Sequence, residues 1–298
     1  MPDAPQDRLP VADQPPRTPK VPAVRAPVGA CDAHVHILSG PEFPLYPDRL
    51  EDPADIGRYE DWLALFHQHL DTLGCTRTVL VQSMMYGTEN AITLETIRRL
   101  GRMARGIALV GPDVSEGSLD RLRAEGIVGV RVHLAHRGVL SWEDAVRLAP
   151  RLADRGMHVQ VMVHVADDMA RLAADLPDLP VDVVIDHCGL PDGEAGAGAP
   201  GLDALRRALG EGRAWVKLSG LYRFTDAPYR AADAIVRAFV DANPERCLWG
   251  SDWPHIMLGG RPMPDAGVLL DTFMRQVPDE AHRQAILVDN PAALYGFI

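Results

Sequence analysis

Eight short runs rich in valine, isoleucine and leucine recur along the chain, near residues 30–37, 77–83, 106–111, 128–134, 157–165, 181–187, 213–219 and 246–251. Each is short enough to be a strand buried on both faces, as parallel strands are. Helix-like stretches separate or follow them at 59–73, 91–103, 116–125, 141–155, 167–175, 201–211, 228–242 and 264–276. Ser141 precedes Trp142-Glu143-Asp144 as a helix start with acidic first-turn residues, and Gly126 and Gly156 suit turns from helix to strand. Eight strand–helix pairs predict an α/β fold of one domain, a (β/α)8 TIM barrel with some distortion, over residues 29–298. A doubly wound open sheet is the alternative, but the chain has no GxGxxG or P-loop. Residues 191–200, rich in Gly and Ala, read as a loop after strand six. Residues 1–28 hold eight prolines and read as an extended or disordered arm.

In such a barrel the reactive side chains stand at the C-terminal ends of the strands. Strand one ends in His34-Val35-His36, and alternation aims both imidazoles at one space. Strand five reads Met157-His158-Val159-Gln160-Val161-Met162-Val163-His164, with His164 last. Strand six ends in Asp186-His187-Cys188-Gly189, and strand eight in Trp249-Gly250-Ser251-Asp252-Trp253-Pro254-His255. Imidazoles with one carboxylate suit zinc or a similar divalent ion, or an acid that serves as base for an attacking water. Taken singly, each residue has a bland reading: His187 as a core histidine, Asp252 as a turn cap, His164 as a loop contact, His158 as structural. Their joint placement favours a site, because buried polar groups are costly unless paired.

A second set is cationic. Arg131 lies inside strand four, Arg137 in the loop after it, and Arg223 after strand seven. An arginine within an apolar strand calls for an anion, and guanidinium groups hold carboxylates bidentately. Lys217 points to the same region as a salt-bridge partner. The net charge of −11 argues against a nucleic-acid partner, and no apolar run is long enough for a membrane span. No N-terminal stretch joins basic residues to an apolar core, so a cytoplasmic setting is expected. It agrees with Cys31, Cys75, Cys188 and Cys247 as reduced, buried thiols. Cys188 as a nucleophile is disfavoured, since it faces away from His187 on a strand.

The ordered set Asp32-Ala33-His34-Val35-His36, Asp186-His187-Cys188-Gly189 and Trp249 to His255 resembles the amidohydrolase superfamily, in the branch that includes lactonases of pyrone dicarboxylates and sugar acids. The resemblance runs from about residue 20 to the C-terminus. It implies hydrolysis of a small anionic lactone, with Asp252 as general base and His34, His36 and His187 lining water and carbonyl. Arg131, Arg137 and Arg223 would hold substrate carboxylate, with Tyr86, Met162 and His255 also facing substrate. Leu190, Met162 and Glu51 stand where the dicarboxylate-binding members carry an arginine and two tyrosines, which points to a lactone with a single carboxylate. Two cofactor alternatives stay open: one divalent ion, zinc or manganese, on His34, His36, His164, His187 and Asp252, or metal-free catalysis. A metal-dependent decarboxylase, a lactone isomerase and a non-catalytic anion-binding protein are the competing functions, and a homo-oligomer is compatible with all of them.

Overall fold

The computed structural model of the protein describes residues 9–136 and 138–297. Eight strands follow one another in spatial order, each parallel to the next: β1 (Cys31–Val35), β2 (Arg77–Val81), β3 (Ala104–Ala108), β4 (Ile127–His133), β5 (His158–Met162), β6 (Val183–Ile185), β7 (Trp215–Leu218) and β8 (Cys247–Trp249). The eight expected helices follow: α1 (Tyr59–Leu73), α2 (Ala91–Leu100), α3 (Glu116–Ala124), α4 (Trp142–Ala153), α5 (Val165–Asp175), α6 (Leu202–Gly210), α7 (Asp233–Ala242) and α8 (Ala266–Gln276). The fold is a nearly closed (β/α)8 barrel. Two short C-terminal helices that the sequence pattern does not announce, α9 (Glu280–Gln284) and α10 (Asn290–Tyr295), flank a widened turn over Ala285–Asp289. Among the described residues, no helix is long and apolar enough to cross a membrane.

Local chemistry sets the helix ends. Ser141 Oγ accepts from the Asp144 amide while the Asp144 carboxylate accepts from the Ser141 amide, a reciprocal cap that starts α4. Gly74 ends α1 with φ of +81°, which a residue with a Cβ rarely adopts. Two apolar layers result. One lies between strands and helices. The other fills the barrel itself with Cys31, Ala33, Val79, Val81, Ile107, Val184 and Leu248, and is stoppered at the N-terminal end by Tyr295 and Phe297. All four cysteines are buried and unpaired. Burial pushes the Cys188 thiol up to about 12, so it stays protonated at neutral pH.

The barrel closes between β1 and the chain just after β8. The Asp252 amide donates to the His34 carbonyl (2.8 Å) and the His36 amide to the Trp253 carbonyl (2.7 Å). Asp32 reinforces this seam: one carboxylate oxygen accepts from the Ser251 amide (2.8 Å) and the other lies 3.0 Å from His69 Nε2. Outside the barrel, residues 9–28 run against the surface. Ala12 and Asp52 pair through the Ala12 amide and the Asp52 carbonyl (2.8 Å), and the Asp52 amide donates to the Pro10 carbonyl (2.8 Å). Further along, the Lys20 and Ala23 amides donate to the carboxylates of Asp265 and Asp271.

Gly250 makes the seam possible. A Cβ there would sit 2.7 Å from both the backbone nitrogen and the Cβ of His34, neither of which is a flexible end. Gly250→Ala is therefore expected to lose roughly 1–3 kcal/mol of stability in urea denaturation and to lower turnover. Gly117→Ala, where a Cβ meets nothing within 4 Å, tests the comparison: it stays close to wild type in both.

Candidate active site

The seam places Asp252 beside the two imidazoles of β1. Asp252 Oδ1 lies 3.5 Å from His36 Nε2 and 3.7 Å from His34 Nε2, and Oδ2 lies 3.8 Å from His187 Nε2. Asp252, His187 and His255 all have positive φ, at +63°, +52° and +68°. Non-glycine residues rarely sit there, and such strain concentrates where a side chain must be aimed. The Ser219 hydroxyl meets His187 Nδ1 at 3.0 Å.

An outer partner fixes which nitrogen of His36 carries hydrogen. His36 Nδ1 lies 2.7 Å from the Val81 carbonyl, which only accepts, so Nδ1 donates and Nε2 keeps its lone pair. His34 Nδ1 lies 3.2 Å from Asp186 Oδ1, an acceptor, and 3.4 Å from Lys217 Nζ, a donor, so either tautomer of His34 has a partner there. Beneath His34 lies a buried polar relay. Lys217 Nζ donates to Gln160 Oε1 (2.6 Å) and lies 3.5 Å from Asp186 Oδ1, and Gln160 Nε2 donates to Asp186 Oδ2 (3.0 Å). Burial pulls the Lys217 ammonium down to about 8, although Asp186 opposes the shift.

Asp252 treats its two oxygens differently. Oδ2 accepts from Tyr222 Oη (2.7 Å), Arg223 Nε (2.8 Å) and lies 2.7 Å from Arg223 NH2. Oδ1 has no hydrogen-bond partner, nor does His34 Nε2, though both are buried. The Arg223 guanidinium is the main influence holding the Asp252 carboxyl well below the usual range, against the effect of burial. Burial keeps His34 and His36 low and brings His187 to about 4, so the imidazoles are neutral at neutral pH. His34 Nε2, His36 Nε2 and Asp252 Oδ1 thus converge, all buried, with His34 Nε2 and Asp252 Oδ1 lacking a hydrogen-bond partner. That donor set fits a divalent cation: the ligating atoms lie within 4.8 Å of one another, and imidazole nitrogen with carboxylate oxygen suits zinc.

Other sequence candidates fall elsewhere. His164 is exposed at the N-terminus of α5, outside the cluster. The strand ends at Met162, so the alternation that would aim His164 inward stops two residues short. Tyr86 is buried with its hydroxyl on the Ser39 backbone and does not line the cavity. His255 is buried behind Tyr222, with both ring nitrogens unpartnered. Arg137 lies outside the described residues. Arg131 is buried, with NH1 donating to the Gln82 carbonyl (3.1 Å), and its NH2 meets only the Met162 thioether at 3.8 Å. Arg223 pairs with Asp252. Tyr222, Ser219, Gln160 and the seam residue Asp32 were not among the sequence candidates. The signals are positional: Asp32 opens the first motif, Tyr222 adjoins Arg223, Ser219 is two residues after Lys217 and Gln160 two before Met162.

Above the cluster lies an inner chamber of about 60 Å³, lined by His36, His187, Arg131, Arg223, Met162 and the loops carrying Glu51 and Met257. It shares His136, Met162, Arg223 and Met257 with an outer vestibule of about 980 Å³ that reaches the surface.

A barrel with strand-end imidazoles and an aspartate gathered over its C-terminal mouth defines a class of hydrolases, and comparison with known proteins gives the family. Residues 31–297 match the amidohydrolase family model, and the chain belongs to that family. It is 33% identical over 291 residues to 2-pyrone-4,6-dicarboxylate hydrolase of Comamonas testosteroni, covering 93% of each chain. It is also 33% identical over 281 residues to 4-sulfomuconolactone hydrolase of Rhizobium radiobacter, covering 91% of each. The crystal structure of a probable 2-pyrone-4,6-dicarboxylic acid hydrolase from Acinetobacter baumannii, with citric acid bound, superposes with a TM-score of 0.79. Its identity is 27%, with 91% of this chain and 100% of that one covered. The protein is thus an enzyme of the amidohydrolase superfamily; its named relatives include these two lactone hydrolases and, at 30% identity over 283 residues, D-galactarolactone isomerase of Agrobacterium fabrum.

Buried neutral histidines make folding sensitive to mild acid. His158 and His255 are held down to about 3 by burial, against 6.5 for a solvated imidazole. Below pH 6.5 the unfolded chain binds protons that the folded chain refuses, so stability falls as pH drops from 6.5 toward 3. Asp186 and Asp252, with depressed carboxyls, contribute stability that is lost only below about pH 4. The urea midpoint is expected to be level near pH 7 and to fall between pH 6.5 and 4.5. His158→Gln should reduce that slope by about one proton, roughly 1.4 kcal/mol per pH unit.

Proposed function

We propose that the protein hydrolyses a lactone that carries a carboxylate, with Asp252 as the general base. The division of labour within Asp252 carries this reading. Its Oδ2 is locked by Tyr222 and Arg223, while Oδ1 stays ionised and unpartnered. The names of the two hydrolase relatives and the citric acid held by the structural neighbour support a small anionic substrate.

Oδ1 takes one proton from water as the water oxygen bonds to the lactone carbonyl carbon. The ring C–O bond then breaks, and the proton passes to the departing ring oxygen, leaving a hydroxy acid. His34, His36 and His187 bound the space in which water and carbonyl meet. Asp186, held by Gln160 and Lys217, keeps the His34 ring turned so that Nε2 faces that space. Arg131 is the group that takes the substrate carboxylate, and Arg223 fixes the angle of the base. A zinc or manganese ion on His34, His36 and Asp252 would supply electrostatic stabilisation of the oxyanion. His164, being exposed and apart, is not a ligand in this reading.

Asp252→Asn, assayed by ring opening of a lactone panel, is expected to lose roughly 10²–10⁴-fold in kcat. Full activity would remove Asp252 from the role of base. Arg131→Met should raise KM roughly 10–100-fold for carboxylated lactones and leave uncharged lactones little changed. Zinc is expected to raise the thermal midpoint of the wild type and not that of His36→Ala, since a ligand bound only by the folded state stabilises it. No rise in the wild type would leave the oxyanion to the protein's own groups.

A further inference from the structure

We propose that the inner chamber, with the vestibule it opens into holding the rest of the molecule, selects a lactone with one carboxylate and an apolar substituent, and that Glu51 is the specificity-determining residue that rejects a second carboxylate. This rests on the lactonase reading and adds the substrate class to it.

The charges lining the chamber carry the inference. Its described cationic residues are Arg49, Arg131 and Arg223. Arg49 is taken up by the Asp52 carboxylate and the Tyr46 carbonyl, and Arg223 by Asp252. Arg131 differs: it is 4% exposed, its Nε has no hydrogen-bond partner, and its NH2 has only a thioether. Its nearest protein carboxylate oxygen, on Asp186, is 3.9 Å away. A buried guanidinium left so incompletely paired is a seat for one anion.

Opposite charges on the same wall oppose a second one. Glu51 is 9% exposed, and its Oε2 accepts from the Met257 amide at 2.9 Å, which pins the carboxylate on the chamber lining. Asp48 and Asp13, both exposed, add negative charge on that side, Asp48 from the chamber lining and Asp13 by its electrostatic effect on Glu51, which Arg223 partly offsets. Placing like charges together in a desolvated site is a strong means of rejecting a wrong partner. Beside Ser83 and the histidines, the uncharged lining includes six apolar side chains: Leu50, Met84, Met85, Met162, Ile256 and Met257. Four of these six are methionines, whose unbranched thioethers fill gaps and fit varied apolar groups.

Binding and turnover separate the two levels of the claim. Cyclohexanecarboxylate and cis-cyclohexane-1,3-dicarboxylate, which contain no lactone, are titrated into wild type and Glu51→Gln at pH 7.5 by calorimetry. The variant keeps an oxygen for the Met257 amide and loses the charge. The wild type is expected to bind the monoacid at least tenfold more tightly, and Glu51→Gln to narrow that ratio roughly tenfold. The same pattern is expected in kcat/KM for a 2-pyrone monocarboxylate against 2-pyrone-4,6-dicarboxylate. The proposal is overturned if the diacid binds the wild type as well as the monoacid, if neither acid binds at millimolar concentration, or if Glu51→Gln folds and leaves the ratio unchanged. Selective binding of the monoacid with no lactone opened would uphold the selection and sink the lactonase reading. The wild-type ratio decides the charge preference even if the variant does not fold.

Discussion

Everything at the mouth of this barrel depends on the seam where β1 meets the segment after β8. Two backbone hydrogen bonds close it, and they are the same bonds that set Asp252 beside His34 and His36. Closure of the fold and assembly of the acid–imidazole cluster are therefore one event. The Asp32 carboxylate holds the Ser251 amide across the seam, so a residue two before His34 acts on the base without approaching it. Gly250 admits the close approach. The positive φ at Asp252 is local strain that the rest of the barrel holds in place.

The second constraint is charge. Asp186, Asp252, Lys217 and Arg131 are all nearly or wholly buried, in a protein interior where an isolated charge would not survive. They persist because each is shared. Asp186 meets Gln160 and lies near Lys217, Arg131 and His34, while Asp252 meets Tyr222 and Arg223. What the sharing leaves over is informative. Of the buried polar atoms without a hydrogen-bond partner, Asp252 Oδ1, His34 Nε2 and Arg131 Nε lie at the catalytic cluster or its chamber, while others, such as Asp186 Oδ1 and both ring nitrogens of His255, lie beneath or beside it. The unpaired atoms of the cluster are the places where substrate, water or an ion would supply the missing contacts.

The fold was legible because burial on both faces writes each parallel strand as an apolar run, and α1 occupies the same residues, 59–73, that its pattern marks. The His34, His36, His187 and Asp252 cluster was legible for a related reason, since strand ends in a barrel meet at one place. Failures began where a strand ended earlier than its apolar run. His164 follows Met162 by two residues, but it is the exposed cap residue from which α5 begins. Arg223 shows another limit: its composition and position fit substrate binding, while its pairing with Asp252 depends on a loop approach that no local pattern encodes. The short helices at the C-terminus carry too few turns to show a period. Their position between β8 and the barrel floor is set by packing of Tyr295 and Phe297.

The pairing of Pro10 and Ala12 with Asp52 has a consequence for how such an enzyme can diversify. It ties the residue next to Glu51 to a segment that contributes nothing to the barrel's strands. Chemistry is anchored in the seam, where most changes disturb closure. The chamber wall is anchored to a peripheral strap, where sequence can drift at little cost to folding. Substrate preference and catalytic power therefore sit on mechanically separate supports, and a change in the strap can retune one without dismantling the other.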